Sequence, residues 1–490
     1  MTKGSVTIFT TLSMVLVAAT LFSLLEGMRF FEINRLSQLQ TELATEAFFA
    51  NYNANLWQEY HLLGSDGTNV TERLRESGNA RNIARDKGLN LFLTEVETVD
   101  LESYTRITDG NGAAYVHAVS TYMEEQMLYE TLKILYNQYE VIQALIQSSE
   151  IDLTKIDEAL VNIEEAQRLA NQQREELMKN QDGVVEEERI LQSSAPVLVN
   201  PIQEIKNLQE KGILEVVLSS TDSLSKKELS NANLVSKRQL YEGKNYEVPE
   251  SAWMDKVLLQ QYLLSYFSNY LDSKENTYLS YELEYIIGGK SSETENLKQV
   301  VYQILAIREA VNFLYLVSDI EKAEEAKLLA IGLVGASMNP LIIESVKIGL
   351  LTAWAFGESI LDARALLNGK QIPLLKSKDT WTLSLSEIGK IGKSDYMAKE
   401  SMTGLTYQNY LGILLLFQRE NGLAMHAMDL QEMNIKSMWG EPAFQMDHMW
   451  IQSDVKIVYK YCPLFSFFQN YQPDIPWKNQ AVTKTRFGYY

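Results

Sequence analysis

The chain has 490 residues, of which 46% are hydrophobic and 22% are charged. That balance is typical of a folded protein and excludes a mainly disordered one, and the length predicts two or three folding units. The formal net charge of -20 repels phosphate backbones, so nucleic acid is not expected as a partner. Because Cys462 is the single cysteine, no intramolecular disulfide can form.

The first element is an uncharged apolar stretch from Ser5 to Leu25. At about 1.5 Å per residue, a helix of this length reaches the ~30 Å thickness of the bilayer hydrocarbon. A cleaved secretory signal is the alternative, since Lys3 is basic and Ala18-Ala19 are small. The apolar run continues past those alanines, so residues 1–30 are predicted to be a retained membrane anchor.

Helical periodicity continues beyond this stretch. Ile33, Leu36, Leu43 and Ala47 recur at helical spacing, with charged residues between them. One helix is therefore expected to leave the membrane and become amphipathic. Basic residues flank the two ends of the apolar run about equally, so the charges alone do not set the orientation.

Several motifs carry a resemblance to known families. The opening KGSVTIF at Lys3–Phe9, followed by an apolar helix that closes in EGMR at Glu26–Arg29, resembles the start of the pseudopilin-like proteins of tight-adherence (Flp-type) pilus systems. The stretches Tyr104–Asp109 and Trp354–Trp381 resemble an uncharacterised clostridial family, known only as a domain of unknown function and associated with such pilus loci. The resemblance implies a single-pass protein of a Gram-positive cell membrane, with a cytoplasmic N-terminus and an extracytoplasmic body.

One position departs from the prepilin pattern. Cleavage after Gly4 would require a glutamate at the fifth mature residue, and Phe9 stands there. The mature protein is therefore expected to keep its N-terminal helix.

The membrane-proximal segment, residues 31–115, combines the amphipathic helix with loops and strands. Residues 57–90 are punctuated by glycines and are expected to form a polar connection. Alternating apolar and polar residues over Leu91–Thr108 predict one or two strands, and Asp109–Gly112 predicts a turn.

Residues 116–240 are expected to form a helical arm and its return. No proline or glycine occurs from Val116 to Asn180, and apolar residues between Leu153 and Leu177 alternate at intervals of three and four. This pattern predicts a helical hairpin or coiled-coil arm. Pairing within the chain is favoured, and an intermolecular coiled coil, which would make the protein a homo-oligomer, is the alternative.

Residues 241–490 are predicted to form a C-terminal α+β body. Helices are expected at Trp253–Tyr270, from Glu293 to about Leu367, and at Tyr410–Phe417. Strands are expected at Tyr278–Ile287, Met446–Tyr461 and Thr483–Tyr490. The whole chain is therefore assigned to the α+β class, dominated by helices, with one antiparallel sheet assembled from segments far apart in sequence.

The longest uncharged internal run extends from Leu328 to Ile343. It is shorter than the ~20 residues that a spanning helix needs, and Asn339-Pro340 interrupts it. A buried helical hairpin is favoured over a second membrane crossing.

The sequence contains no HExxH, GxSxG or GxGxxG signature. Gly289-Lys290-Ser291 is the nearest approach to a phosphate-binding loop, but Glu284 stands where such a loop needs its first glycine, so a turn is favoured. Cys462 lies among aromatic residues and is expected to be an inert core thiol. The histidines never pair at the spacing of metal ligands on one helix face; they are His61, His117, His426 and His448. We therefore expect no catalytic, cofactor-binding or metal-binding residues, and no cofactor.

Glu358, Asp362 and Arg364 form a charged cluster on an otherwise apolar helix. Glu358 and Asp362 are four residues apart and share a face, which could hold a general acid and base or a hard cation. A structural role is favoured, because a buried charge must be paired and Lys376 or Lys378 on a neighbouring loop could supply the partner.

The sequence leaves three functions open. The first is a non-enzymatic structural or assembly component of a pilus-like surface or secretion apparatus, with membrane lipid and other apparatus proteins as partners. The second is a membrane-anchored sensor or adhesin that binds polysaccharide or peptide. The third, and least favoured, is a surface hydrolase that uses Glu358 and Asp362.

Overall fold

The computed structural model describes residues 3–83, 91–127, 200–209, 211–229, 233–245, 247, 252–334, 340–392, 395–464 and 479–490, with short helical pieces between 133 and 172. The α-helices, in chain order, are α1 (Lys3–Ala50), α2 (Ala54–Tyr60), α3 (Val70–Ile83), α4 (Ala113–Gln126), α5 (Pro201–Gln209), α6 (Ile213–Val217), α7 (Trp253–Tyr266), α8 (Glu282–Gly288), α9 (Glu293–Ser318), α10 (Ile320–Val334), α11 (Pro340–Leu367), α12 (Tyr407–Phe417) and α13 (Glu420–Met438). Two 3₁₀ helices span Leu385–Gly392 and Met446–His448. The strands are β1 (Ser65–Asp66), β2 (Glu95–Arg106), β3 (Met449–Tyr461) and β4 (Asn479–Gly488). The prediction of a helix-rich fold with an antiparallel sheet is confirmed.

Two compact units are formed, each from stretches that are far apart in sequence. Unit 1 comprises Met1–Gln126, Ala232–Leu259 and Glu420–Tyr490. Unit 2 comprises Met127–Asn231 and Gln260–Arg419. The four consecutive segments expected from the sequence do not coincide with these units, because the C-terminal strands return to the N-terminal part of the chain.

Helix α1 is continuous over 48 residues. Its first part is apolar and exposed, and none of its most apolar window is buried. From Ile33 onward one face is buried, and Phe48 and Phe49 pack into the core of unit 1. The predicted apolar N-terminal helix is therefore present, and it is long and apolar enough to cross a membrane.

The sheet of unit 1 is built around β3, which pairs antiparallel with each of the other strands. Alternate residues of β3 are buried, as expected when one face of a sheet is covered. Val455, Ile457 and Tyr459 pack with the buried face of α1 in one hydrophobic core. The strands predicted within Leu91–Thr108, Met446–Tyr461 and Thr483–Tyr490 are confirmed to within a few residues as β2, β3 and β4.

Unit 2 is organised around α11, in which every residue from Gly349 to Leu367 is buried. A helix that is buried on all sides is a core helix, and here it packs against α9 and α10. Both α9 and α11 are long and apolar enough to cross a membrane, but 61% and 56% of their apolar windows are buried inside the protein. Residues 335–339, in the middle of the uncharged internal run, lie outside the described residues.

The strand expected at Tyr278–Ile287 is wrong, because α8 occupies this stretch. Its acidic residues are buried along with its apolar ones: Glu282 accepts the Ser268 N–H at 2.9 Å and Glu284 accepts the Tyr270 N–H at 2.9 Å. The alternation of acidic and apolar residues therefore does not mark an exposed and a buried face, which is what a half-buried strand would need.

The polar connection expected at 57–90 is also wrong, since it contains most of α2 and all of α3. Helix α3 is mostly polar, so its apolar periodicity is weak. Val70 and Leu74 nevertheless reach the core of unit 1, and the Arg73 guanidinium lies 4.9 Å from the ring centroid of Phe48. The arm expected between Leu153 and Leu177 lies largely outside the described residues.

Candidate functional site

The structure buries all three members of the predicted charged cluster on α11. Glu358 and Asp362 are 0% exposed and Arg364 is 2% exposed. Glu358 and Asp362 lie together, one helical turn apart. Arg364 is separate from them and donates to the carbonyl oxygens of Val216 at 2.6 Å and Tyr396 at 2.8 Å.

Lys376 provides the partner for the two carboxylates. Its Nζ lies 2.7 Å from Oε1 of Glu358 and 2.7 Å from Oδ1 of Asp362. Lys378, the other candidate, is exposed and pairs with Glu321 instead. The loop that follows α11 thus inserts one lysine into the core and leaves the next one in solvent.

Two further members come from α9 and were not found from the sequence. Arg308 donates to Oδ2 of Asp362 from Nε at 2.9 Å, and its Nη2 lies 2.8 Å from the same oxygen. Asn312 donates to Oδ2 from Nδ2 at 2.9 Å. Arg308 and Asn312 are four residues apart on an apolar helix, which is the signal that could have revealed them. We call these five residues the Lys376 cluster: Arg308, Asn312, Glu358, Asp362 and Lys376.

Charge is balanced within the Lys376 cluster, with two cations facing two carboxylates. Burial raises the pKa of Glu358, although Lys376 opposes that effect. Burial alone would also raise the pKa of Asp362, but the charges of Arg308 and Lys376 lower it overall. Because both carboxylates are fully buried, an external substrate cannot reach them. The geometry therefore does not fit the hydrolase interpretation.

A different polar site lies in unit 1, where the turn at Asp109–Gly112 faces the loop at Arg238–Asn245. The two segments border a cavity of about 960 Å³. Its lining includes Thr108, Asp109, Asn111, Tyr241, Glu242 and Asn245. We call this the unit 1 cleft.

The Asp109 carboxylate joins the two walls of the unit 1 cleft. It accepts hydrogen bonds from the backbone N–H of Arg106 at 2.7 Å and of Gly243 at 2.8 Å. Burial raises the pKa of Asp109, and the two N–H donors oppose that shift. A Cβ at position 243 would lie 2.1 Å from Oδ2 of Asp109 and 2.5 Å from the Tyr104 carbonyl oxygen, so only glycine fits.

Two arginines hold the rest of the unit 1 cleft in place. Arg238 forms a bidentate pair with Glu432, both contacts at 2.7 Å, and reaches Asp447 at 2.5 Å. The guanidinium of Arg106 lies between 5.4 and 5.8 Å from the ring centroids of three aromatic residues, which are Tyr104, Tyr241 and Trp450. A cleft with an exposed tyrosine, side-chain amides and a carboxylate has the groups that bind a sugar or a peptide.

The other sequence candidates do not assemble into a site. Within the described ranges, no three His, Cys, Asp or Glu side chains are placed to hold a metal ion. Gly289 follows a helix and caps it with φ of 64°, so Gly289-Lys290-Ser291 is not a strand-to-helix phosphate loop. Cys462 is exposed, and the prediction of a core thiol is wrong, because β3 ends at Tyr461 and the chain leaves the sheet there.

A family described as "Family of unknown function (DUF5702)" matches residues 192–461. The matched range contains the Lys376 cluster and the Arg238–Asn245 wall of the unit 1 cleft. Comparison with curated proteins and with solved structures gives no match. Since the match covers more than half of the chain, the protein belongs to the DUF5702 family, whose function is unknown.

Proposed function

We propose that this protein is a membrane-anchored, non-enzymatic structural or assembly component of a pilus-like surface or secretion apparatus. The observation that carries the proposal is the continuity of α1, whose exposed apolar part runs without a break into the core of unit 1. A tethered enzyme or receptor needs only a flexible linker to its anchor. A component that positions other subunits needs a rigid one.

Arg29 fixes α1 where its apolar part ends. This side chain is 6% exposed, and it donates to Glu26 Oε1 at 2.8 Å, to the Cys462 carbonyl oxygen at 2.8 Å and to the Leu91 carbonyl oxygen. The anchor is thereby fastened to the segments next to β2 and β3. Movement of the anchor is transmitted to the sheet of unit 1 rather than absorbed at a hinge.

The resemblance to pseudopilin-like proteins supports the same proposal. The resemblance implies a single-pass protein with an extracytoplasmic body, and the exposed apolar part of α1 is long enough to serve as the anchor of such a protein. The partners in this proposal are membrane lipid and other subunits of the apparatus, with the N-terminus in the cytoplasm and both units outside it.

The rigid connection can be tested by inserting seven residues between Leu25 and Glu26. A Gly/Ser insertion makes the junction flexible, whereas an alanine-rich insertion of the same length adds about two helical turns and keeps it stiff. We expect both variants to fractionate with membranes, and only the flexible one to lose surface assembly and co-purification with other proteins of the apparatus. Normal assembly by the flexible variant would contradict the proposal.

The orientation can be tested with Cys462, which is the single cysteine and is exposed. A membrane-impermeant maleimide should label it in intact cells, and Cys462→Ser should remove the label. Labelling that requires permeabilised cells would place unit 1 in the cytoplasm and exclude the proposed topology.

The unit 1 cleft favours a second candidate function, a sensor or adhesin for polysaccharide or peptide. Tyr241 is 60% exposed beside the Asp109 carboxylate and the side chains of Asn111 and Asn245. Titration with cell-wall glycan fragments and short peptides tests this candidate. Tyr302 is an exposed tyrosine in unit 2 and serves as the control. The candidate is supported if Tyr241→Ala abolishes binding and Tyr302→Ala preserves it.

A further inference from the structure

We propose that Lys376 and Asp362 become joined by an intramolecular isopeptide bond between Lys376 Nζ and Asp362 Cγ, with Glu358 carrying the protons. The bond would link α11 to the loop that follows it. This inference rests on the geometry of the Lys376 cluster and is independent of the proposed function.

The lysine nitrogen already lies beside the carboxyl group that it would attack. Lys376 Nζ lies 2.7 Å from Oδ1 of Asp362, and both side chains are fully buried. Fixing two groups at such a distance in a folded core supplies effective molarities of about 10⁵–10⁸ M in favourable cases.

The other carboxyl oxygen of Asp362 is surrounded by donors. Arg308 Nε at 2.9 Å, Arg308 Nη2 at 2.8 Å and Asn312 Nδ2 at 2.9 Å all approach Oδ2. These groups polarise the carboxyl carbon and would stabilise the negative charge that develops on Oδ2 when nitrogen adds to Cγ. Oδ1, which faces Lys376, is left to depart.

Glu358 is placed to move the protons. Its Oε1 lies 2.7 Å from Lys376 Nζ, and burial raises the pKa of Glu358 whereas the pKa of Asp362 is lowered. Glu358 is thus the stronger base of the two carboxylates and accepts a proton from the ammonium group.

The reaction balances without any other reactant. The deprotonated Lys376 amine adds to Cγ of Asp362, and the C–N bond forms. One proton has already passed from the ammonium to Glu358, and the nitrogen loses a second one after addition. Both protons reach Oδ1 through Glu358, after which the C–Oδ1 bond breaks, Oδ1 departs as water and the amide nitrogen keeps one hydrogen. One ammonium and one carboxylate become one secondary amide and one water, with no net change in protons or electrons.

The surroundings favour the amide. Lys376 Nζ and Asp362 are fully buried, and a buried ion pair retains a large desolvation penalty that a neutral amide does not have. Charge also stays balanced after the reaction, because the Glu358 carboxylate and the Arg308 guanidinium remain. Trp354 and Trp381, whose indole N–H groups both donate to the Leu383 carbonyl oxygen, are buried beside the same loop.

Intact-mass measurement of the purified wild-type chain tests the proposal directly. We expect a mass that is lower by one water than the mass calculated from the amino-acid sequence of the purified chain. Tandem mass spectrometry should identify a branched peptide joining Lys376 to Asp362. A wild-type chain at full mass, without such a peptide, would overturn the inference even if no variant folds.

Variants assign the roles within the Lys376 cluster. Lys376→Arg and Glu358→Gln should both have full mass. Lys378→Arg, in the exposed pair with Glu321, is the matched control and should still lack one water. In Asp362→Asn the leaving group is the side-chain nitrogen, so bond formation in this variant releases ammonia where the wild type releases water. Circular dichroism shows whether each variant is folded, and a folded Glu358→Gln chain that still lacks one water would exclude Glu358 as the proton carrier.

Discussion

Helices α1 and α11 are both long and apolar enough to cross a membrane, but they have opposite environments in the structure. By length and composition both could cross a membrane, yet none of the apolar window of α1 is buried, whereas 56% of that of α11 is buried inside the protein. The difference lies in the charges. The exposed part of α1 has none between Ser5 and Leu25, and α11 carries Glu358 and Asp362 with partners on α9 and the following loop. Length and apolarity alone therefore do not show which of these helices is buried in the protein core, whereas the matched buried charges of α11 do.

Removing residues 1–25 should have the largest effect. The full chain is expected to fractionate with membranes, and the shortened chain should be soluble, because α11 is covered by protein and cannot act as an anchor. Carbonate extraction and sedimentation measure this. If the shortened chain stays with protein-free lipid vesicles, the uncharged run near α11 is a second anchor and the contrast between the two helices fails.

The next largest effect is expected from Arg308→Met in unit 2. With or without the amide, this substitution leaves the Lys376 cluster with one buried carboxylate more than it has cations, and breaking a buried ion pair costs about 3–5 kcal/mol. Denaturant unfolding of the chain lacking residues 1–25 measures the change. Lys378→Met removes a cation from an exposed pair and is the matched control, with no measurable change expected. Equal stability of the two variants would show that the Lys376 cluster does not stabilise unit 2.

Glu309 provides a test by pH. It is 5% exposed, its Oε1 has no hydrogen-bond partner among the described residues, and burial raises its pKa to about 8. Above about pH 4.5 the unfolded chain releases the Glu309 proton, whereas the native state keeps it. The stability that the native state gains from the protonated Glu309 is therefore complete below about pH 4.5 and is lost as the pH rises through about 8.

Glu309→Gln should remove that dependence. We expect the variant to match the wild type near pH 4.5 and to be more stable by a few kcal/mol at pH 9, given about 1.4 kcal/mol per pKa unit. Thermal melts across this range measure the difference, with Glu321→Gln as an exposed control. Parallel curves for wild type and Glu309→Gln would mean that Glu309 is ionised in the native state, so that burial without a partner is tolerated.

The smallest effect is expected in unit 1, from Gly243→Ala. The new Cβ would collide with Asp109 and the Tyr104 carbonyl oxygen, and such overpacking typically costs about 1–3 kcal/mol. Gly422→Ala is the control in the same unit, because nothing lies within 4 Å of its Cβ position and alanine favours the helix. A neutral Gly243→Ala would indicate that the Arg238–Asn245 loop moves away from Asp109 easily.

The elements that the sequence predicts well are those with a regular apolar pattern. The exposed part of α1, the alternation of β3 and the long helices α9 and α11 are recognisable from local spacing alone. The helix-rich fold with an antiparallel sheet and part of the Lys376 cluster could therefore be anticipated, with Lys376 as one of two candidate partners of the carboxylates. Arg308 was missed: its spacing from Asn312 on an apolar helix marks it as a buried polar residue, but its pairing with Asp362 across 54 positions depends on the packing of α9 on α11.

The unit 1 cleft could not be anticipated for the same reason. Gly243 donates to Asp109 across 134 positions, and neither residue has a local pattern that points to the other. Helix α8 shows the converse problem, since its local pattern is clear but misleading. Buried Glu282 and Glu284 occupy positions that sequence reasoning assigns to solvent, and in each of them one carboxylate oxygen accepts a tertiary hydrogen bond from a backbone N–H group.

If α1 crosses a membrane as proposed, its unbroken helix also fixes the direction in which unit 1 faces around the membrane normal. With 3.6 residues per turn, each residue added to or removed from the exposed part of the helix rotates the sheet by about 100° and shifts its height by about 1.5 Å. One residue therefore turns the unit 1 cleft to a different neighbour, while seven restore nearly the same heading at a greater height. The length of the apolar stretch thus sets the rotational direction of unit 1 as well as its height above the membrane.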